Sequence, residues 1–256
     1  MASFITFLCL LQCVFSNGTS FKTNPIHAPK IVVILSMQRS GSTSLNTMLA
    51  SHPCALNGNE IMTDRESQDL LLAHKLTGMD WEYTRSNPLE FLMESHRHIC
   101  GTRSECGGDC TIFVKLFDIN GISDENLLDL FSSQEIGYVV LERNPADSYS
   151  SMKNAEEQGD WLTSPGENRP KKINYELTEK YRKRQSDWYV KLRGFLRDVG
   201  HTYVEVSFQS IQSCDLIHEV LPRVYNFFGM ESGMVVNVDD DNFLESSMEE
   251  FIKKCV

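Results

Sequence analysis

Apolar runs of strand length alternate along the chain with stretches whose apolar residues recur at helical spacing. "IVVIL" (Ile31 to Leu35) is continuously apolar and rich in β-branched side chains, as a strand covered on both faces should be. Thr43 to Ser51 reads as a helix stopped by His52-Pro53, because a residue before proline is pushed out of the helical region. "TIFVKLF" (Thr111 to Phe117) and "IGYVVLE" (Ile136 to Glu142) read as two further buried strands, with a helical segment at Asn126 to Phe131 between them. Pro145 to Asn154 reads as a helix, with Asn144 as its cap and Pro145 in the first turn, where a missing N–H costs little. "GDWLTSPGENRPKKIN" is a long surface loop, followed by a long helix from Tyr175 to Val199. "HTYVEVSF" is a fourth strand and "CDLIHEVLPRVYNFFG" a late helix ended by Gly229. Strands alternating with helices imply an α/β fold: a P-loop-like parallel β-sheet of four to five strands with helices on both faces. Such sheets bind ligands beyond the carboxyl ends of their strands. Arg39, Lys115 with its following loop, and Arg143 all fall there.

The remaining features narrow this picture. With 256 residues the chain can bury a proper core, and residues 30–256 read as one domain. The net charge of -11 argues against general nucleic-acid binding, which needs a basic excess. Three basic residues converging on one sheet edge are therefore informative. "MASFITFLCLLQCVFS" (residues 1–16) is an apolar leader too short for a stable membrane span and fitting a signal peptide, although it carries no Lys or Arg. A polar approach segment, residues 17–29, follows it and opens on the sequon Asn17-Gly18-Thr19. Beyond the leader six cysteines remain, an even number that suits disulfides in a chain entering the secretory route. "CGTRSECGGDC" also raises zinc, but its spacing lacks the paired C-x-x-C arrangement, and disulfides are favoured.

The stretch "SMQRSGSTSL" (Ser36 to Leu45) joins a strand to a helix start through Gly and small hydroxyl residues. Ser40, Gly41, Ser42, Thr43 and Ser44 there offer backbone N–H groups and hydroxyls to an anion. A nucleoside-triphosphate loop would place glycine at Ser36 and lysine at Ser42, so an ATP- or GTP-hydrolysing enzyme is disfavoured, and a nucleotide kinase with an atypical loop stays a minor alternative. Arg39 can instead fork onto phosphate oxygens. A second strand–Arg–helix element, "VVLERNPADSYSSM", puts Arg143 at the strand end and Ser151 two helical turns on, where the two could hold one anion.

Taken together, these two elements resemble the signature motifs of sulfotransferases that use 3′-phosphoadenosine 5′-phosphosulfate, and especially the Golgi-type tyrosylprotein and carbohydrate enzymes. The resemblance covers the chain from Lys30 to about Gly229. It implies that the Arg39 loop holds the 5′-phosphosulfate, that Arg143 and Ser151 hold the 3′-phosphate, and that no metal is required. "SHPCALNGNEIM" is similar to the segment carrying the catalytic glutamate, which makes Glu60 the base; His52 is the rival, with Asp64 and Glu66 nearby. Lys115, inside an apolar strand, matches the lysine that neutralises the departing oxygen. Ser148, the Tyr175–Arg184 region, Trp161 and Trp188 are further possible nucleotide contacts. Met62 stands where the tyrosylprotein enzymes carry an arginine that assists acidic peptides. A hydroxyl of a glycan or glycolipid is thus the expected acceptor, ahead of a protein tyrosine. A secreted binding protein that kept the fold and lost the chemistry is the other alternative. The expected location is the Golgi lumen or outside the cell. A Cys54–Cys110 bridge, as those enzymes place one, would tie the base's loop to the lysine's strand. Cys100–Cys106 and Cys214–Cys255 would complete the set.

Overall fold

The computed structural model describes residues 29–62, 68–101, 110–118, 121–158, 175–230 and 254–255. Its centre is a five-stranded, all-parallel sheet: β1 (Ile31–Ser36), β2 (Ala55–Asn59), β3 (Thr111–Phe117), β4 (Ile136–Glu142) and β5 (Val204–Ser207), in the order β2-β3-β1-β4-β5. Successive side chains of a strand point to opposite faces, and β1 is apolar throughout because both faces are covered. Val33 and Leu35 pack in one layer with Phe91 of α4 (Pro88–Cys100), Phe131 of α5 (Asp124–Ser132) and Leu192 of α7 (Tyr175–Asp198). Val32 and Ile34 pack in the other with Leu45 and Met48 of α1 (Ser42–Leu49) and Val224 of α9 (Leu221–Phe227). Each such fully buried side chain contributes roughly 1.5–3 kcal/mol.

The strand order sets the position of the site. From β1 the chain runs through α1 to the edge strand β2; from β4 it runs through α6 (Pro145–Gln158) and α7 to the opposite edge strand β5. The neighbours β1 and β4 therefore send their connections apart, and a crevice opens between their carboxyl ends. Arg39 follows β1 and Arg143 follows β4.

Several element limits differ from the sequence expectation for local reasons. Ser123 caps α5 by accepting from the Asn126 N–H (3.2 Å), so the helix begins at Asp124. Asn144 does cap α6 by accepting from the Ala146 N–H (2.9 Å), and that helix runs on to Gln158. The last strand is only four residues long, because Ser207 caps a single helical turn, α8 (Phe208–Ile211). The late helix is not continuous: a π-helical turn, Leu216–Val220, precedes α9, and Pro222 at the junction has no N–H to extend the ladder. The helices α2 (Gln68–Thr77), α3 (Trp81–Ser86) and α4 went unread in the sequence. So did β2, whose "ALNGN" carries no strand signature. It adds to the sheet because Gly58 lies against β3, where a Cβ would come within 2.6 Å of Ile112 and Val114.

The cysteine pairing corrects two of the three expected bridges. Cys100 at the end of α4 joins Cys110 at the start of β3, with Cα atoms 5.7 Å apart. Neither Cys54–Cys110 nor Cys100–Cys106 forms, and Cys54 keeps a free thiol. Cys214–Cys255 is present as expected. Residues 1–16, the sequon, Asp64, Glu66, Cys106 and Trp161 lie outside the described residues. No helix among the described residues is long and apolar enough to cross a membrane.

Peptide mapping without reduction should link Cys100 to Cys110 and Cys214 to Cys255 and recover Cys54 unlinked; a cross-linked Cys54 peptide would overturn this pairing. Removing Cys214–Cys255, which closes a loop of sequence separation 41, should lower stability by up to about 4 kcal/mol on the chain-entropy estimate. Denaturant unfolding of the Cys214→Ser/Cys255→Ser variant measures it.

Candidate active site

The loop between β1 and α1 is built to present backbone N–H groups. Arg39 (φ 61°) and Gly41 (φ 85°) both take left-handed backbone, turning the chain sharply into α1. Position 41 has no room for a side chain: a Cβ would sit 2.7 Å from Ile211 and 2.8 Å from Phe208. The Ser40 hydroxyl donates to the Met37 carbonyl (2.5 Å) and pins the turn. Because the cap residue is Gly41, no side chain caps α1. The first N–H groups of the helix, on Ser42, Thr43 and Ser44, have no acceptor within the helix, and they sit at the positive end of its dipole. Of the hydroxyls expected there, those of Thr43 and Ser44 belong to exposed residues, whereas Ser40 and Ser42 are buried.

Arg143 and Ser151 both converge on this loop, through Arg39. Arg143 Nη1 donates to the Arg39 carbonyl (2.8 Å), and Arg39 Nε donates to Ser151 Oγ (3.1 Å). The sequence expectation had Arg143 and Ser151 holding one anion between them; the structure also places the Arg39 guanidinium beside Ser151. The Arg143 guanidinium lies over the Phe208 ring, 3.9 Å from its centroid. Burial pulls Arg143 below its ordinary pKa; Asp147 opposes this and the charge of Arg39 adds to it. Its Nε is buried with no hydrogen-bond partner among the described residues. Two neighbouring guanidiniums, one of them half-buried with an unused donor, favour an anion beside them.

Helix α7 holds this arrangement from above. Tyr181 donates its hydroxyl to the Gln38 carbonyl (3.3 Å), and Gln185 donates to the Arg143 carbonyl (2.7 Å). The Tyr189 hydroxyl accepts from the Met37 N–H (3.2 Å) and donates to the Leu141 carbonyl (2.5 Å). Burial pushes the Tyr181 phenol up to about 12, so it stays a donor across the working pH range. The sequence reading named the Tyr175–Arg184 region without ranking it and did not single out Gln185, Tyr189 or Phe208. The signal was available: Gln185 is a lone amide on the helix face that also carries Tyr181, Trp188, Tyr189 and Leu192.

On the other side of the loop, Lys115 is the decisive residue. It sits within β3 and is only 2% exposed. Its ammonium donates to Glu60 Oε1 (2.9 Å) and to Thr43 Oγ1 (3.0 Å). Burying an unpaired ammonium is costly, and β2 supplies the counter-charge. The β2–β3 register slips between Asn57 and Asn59, and Asn59 takes a left-handed φ of 47° just before Glu60. The expected base, the expected charge-neutralising lysine and the anion loop are thus joined in one hydrogen-bonded chain. The Nδ1 of His52 accepts from the Cys54 N–H (3.2 Å) and its ring packs against Tyr225, contacts that suit a helix stop. Met62 is buried in the core. Trp188 also packs in a core layer rather than facing the loop.

Comparisons with known proteins add the following. No protein-family model matches the chain. No curated protein sequence matches it. Among solved structures, the chain is similar to the sulfotransferase domain of the Synechococcus PCC 7002 olefin synthase, with 21% identity, a TM-score of 0.41 and coverage of 78% of this chain and 72% of that one. It is similar to a sulfotransferase from Alicyclobacillus acidocaldarius, with 15% identity, a TM-score of 0.45 and coverage of 88% and 90%. A third is the sulfotransferase domain of the curacin biosynthetic pathway, with 17% identity, a TM-score of 0.40 and coverage of 78% and 74%.

The Lys115–Glu60 pair has an asymmetric consequence for stability. Glu60→Gln should destabilise by about 1–3 kcal/mol, because it removes the carboxylate charge that faces the buried ammonium. Replacing both partners, Lys115→Met with Glu60→Leu, should be neutral or stabilising. Chemical denaturation of both variants tests this; equal losses would mean the lysine is not held by charge. Gly41→Ala should cost more than an ordinary surface change, since it combines left-handed backbone with contacts below 3 Å.

Proposed function

We propose that this protein is a sulfotransferase that moves a sulfuryl group from 3′-phosphoadenosine 5′-phosphosulfate to a hydroxyl acceptor. The observation that carries the reading is the buried Lys115, hydrogen-bonded at once to the Glu60 carboxylate and to Thr43 at the head of the anion loop. A group transfer of this kind needs a base at the acceptor oxygen and a cation at the departing oxygen, a few ångströms apart. Glu60 and Lys115 meet that requirement, and the α1 N–H groups with Arg39 supply the anion cradle.

In this reading the acceptor hydroxyl gives its proton to Glu60 as its oxygen bonds to sulfur. The bond from sulfur to the bridging phosphate oxygen breaks, and the charge left on the 5′-phosphate is met by Lys115 and the loop N–H groups. Arg143, turned toward Arg39 and half-buried, serves the 3′-phosphate together with Ser151. No step calls for a metal. The acceptor is a hydroxyl of a glycan or glycolipid. Supporting this, Met62 puts an apolar core residue, not a cation, two positions after the base, so an acidic peptide finds no charge partner there. A secretory location is supported by the apolar leader and by the two disulfides.

Thermal unfolding with adenosine 3′,5′-bisphosphate, against ATP with magnesium, tests the donor. A ligand present at a hundred times its Kd stabilises by about 2.7 kcal/mol, and the bisphosphate should do so while ATP should not. The reverse order would make the protein a kinase. Arg143→Ala should weaken bisphosphate binding by about 1.5–3 kcal/mol, with Ser151→Ala costing less. Glu60→Gln should lower turnover by about 10²–10⁴ and leave nucleotide affinity nearly unchanged; full activity would move the base elsewhere.

A further inference from the structure

Phe208 touches both halves of the anion crevice. Ser207, the last residue of β5, is the register partner of Glu142, the last residue of β4. Phe208 therefore leaves β5 beside Arg143, which leaves β4. The Ser207 hydroxyl accepts from the Ser210 N–H (3.2 Å) and caps α8, so Phe208 opens that turn in a fixed place. One edge of its ring lies against the anion loop, where a Cβ on Gly41 would come within 2.8 Å of it. One face covers the Arg143 guanidinium, with the ring centroid 3.9 Å from Arg143 Cζ.

We propose that Phe208 is a positioning residue: it fixes the plane of the Arg143 guanidinium and so sets the preference of the site for a nucleotide that carries a 3′-phosphate besides its 5′-phosphate. The assignment of Arg143 to that phosphate rests on the sulfotransferase reading. A single hydrogen bond does not fix a plane. Among the described residues the Arg143 side chain makes one, from Nη1 to the Arg39 carbonyl (2.8 Å), and the group can turn about it. The like charge of Arg39 also works against its placement. A ring face stacked on the guanidinium opposes both effects. It attracts the cation through its π cloud and consumes no N–H in doing so. A carboxylate in the same place would occupy those donors and cancel the charge. With Nη1 engaged and Nε buried, Nη2 is the nitrogen left for a ligand, and the ring decides where it stands.

Phe208 also packs in a core layer with Leu45, Val206 and Ile211, so the test must separate positioning from packing. Titrating the full chain with adenosine 3′,5′-bisphosphate and with adenosine 5′-monophosphate does this, because the two ligands differ only in the 3′-phosphate. Wild type should bind the bisphosphate about tenfold or more tightly than the monophosphate. Phe208→Leu should cut that ratio by about fivefold, through the bisphosphate alone, while Phe208→Tyr, which keeps the ring face, should preserve it. Phe208→Met fills the space without a ring face and should behave as Phe208→Leu does, which keeps the result readable if the leucine variant does not fold. In an Arg143→Ala background, Phe208→Leu should change the ratio no further.

Three outcomes overturn the proposal. The ratio survives in the leucine and methionine variants; both nucleotides weaken equally, as loss of packing would give; or Phe208→Leu still lowers the ratio when Arg143 is absent. A preference that survives in Phe208→Leu removes this inference and leaves the sulfotransferase reading intact. A wild type that binds both nucleotides equally removes the donor assignment and this inference with it.

Discussion

A lysine buried in the middle of a parallel sheet is the constraint on which the rest of this structure turns. Lys115 stands where its neighbours in β3 are apolar, and water is nearly excluded from it. Its ammonium must therefore find oxygen within its own reach, and two separate elements bring it. Thr43 comes from the second residue of α1, which fixes how that helix meets the sheet. Glu60 comes from the end of β2, which requires an edge strand beside β3, a glycine where a side chain would collide, and a left-handed residue just before the glutamate. An ion pair of this kind is a poor stabiliser, since desolvation offsets most of its attraction. What it does do is hold a carboxylate and an ammonium at fixed separation beside the β1–α1 loop.

Arg39 plays the corresponding part on the other side of the loop. Its carbonyl accepts from Arg143 and its guanidinium donates to Ser151, so a residue in strained left-handed backbone ties the β1 loop to the β4 loop and to α6. Such conformations persist when their surroundings over-determine them. Here α7 does this by bonding the loop backbone on both flanks, through Tyr181 at Gln38 and Tyr189 at Met37. These bonds brace the crevice between β1 and β4 from the α7 side.

What could be read from the sequence follows from where each segment lies. β1, β3 and β4 are interior strands with both faces covered, and their unbroken apolar runs announce it. β2 is an edge strand of mixed polarity; it is defined by its fit against β3, which is a tertiary fact. The loop motif, Arg143, Ser151 and Lys115 were legible as residues, because a Gly- and hydroxyl-rich strand–helix turn and a charge in an apolar strand are local signals; Glu60 was singled out only through the resemblance of its segment. Their connections were not. That Ser151 meets Arg39, whose carbonyl in turn meets Arg143, depends on how α6 leaves the sheet. The cysteine pairing failed for a related reason. Cys54 was tied to Cys110 through expected proximity to the reaction centre, whereas the closing of α4 onto the start of β3 brings Cys100 there.

The charge distribution bears on which ligands the crevice between β1 and β4 favours. The chain as a whole carries -11, yet Arg39, Lys115 and Arg143 gather at one sheet edge. Any anion approaching from solvent is repelled by the whole and attracted by the part. These two effects differ in range. At physiological ionic strength the Debye length is about 8 Å, so added salt screens the distant acidic surface strongly and the partly buried site much less. Salt therefore weakens the repulsion more than the binding contacts, the opposite of a basic protein that gathers anions by its overall field. The site's selectivity for its anion then rests on fixed donors at short distance: helix N–H groups, two coupled guanidiniums and one buried ammonium.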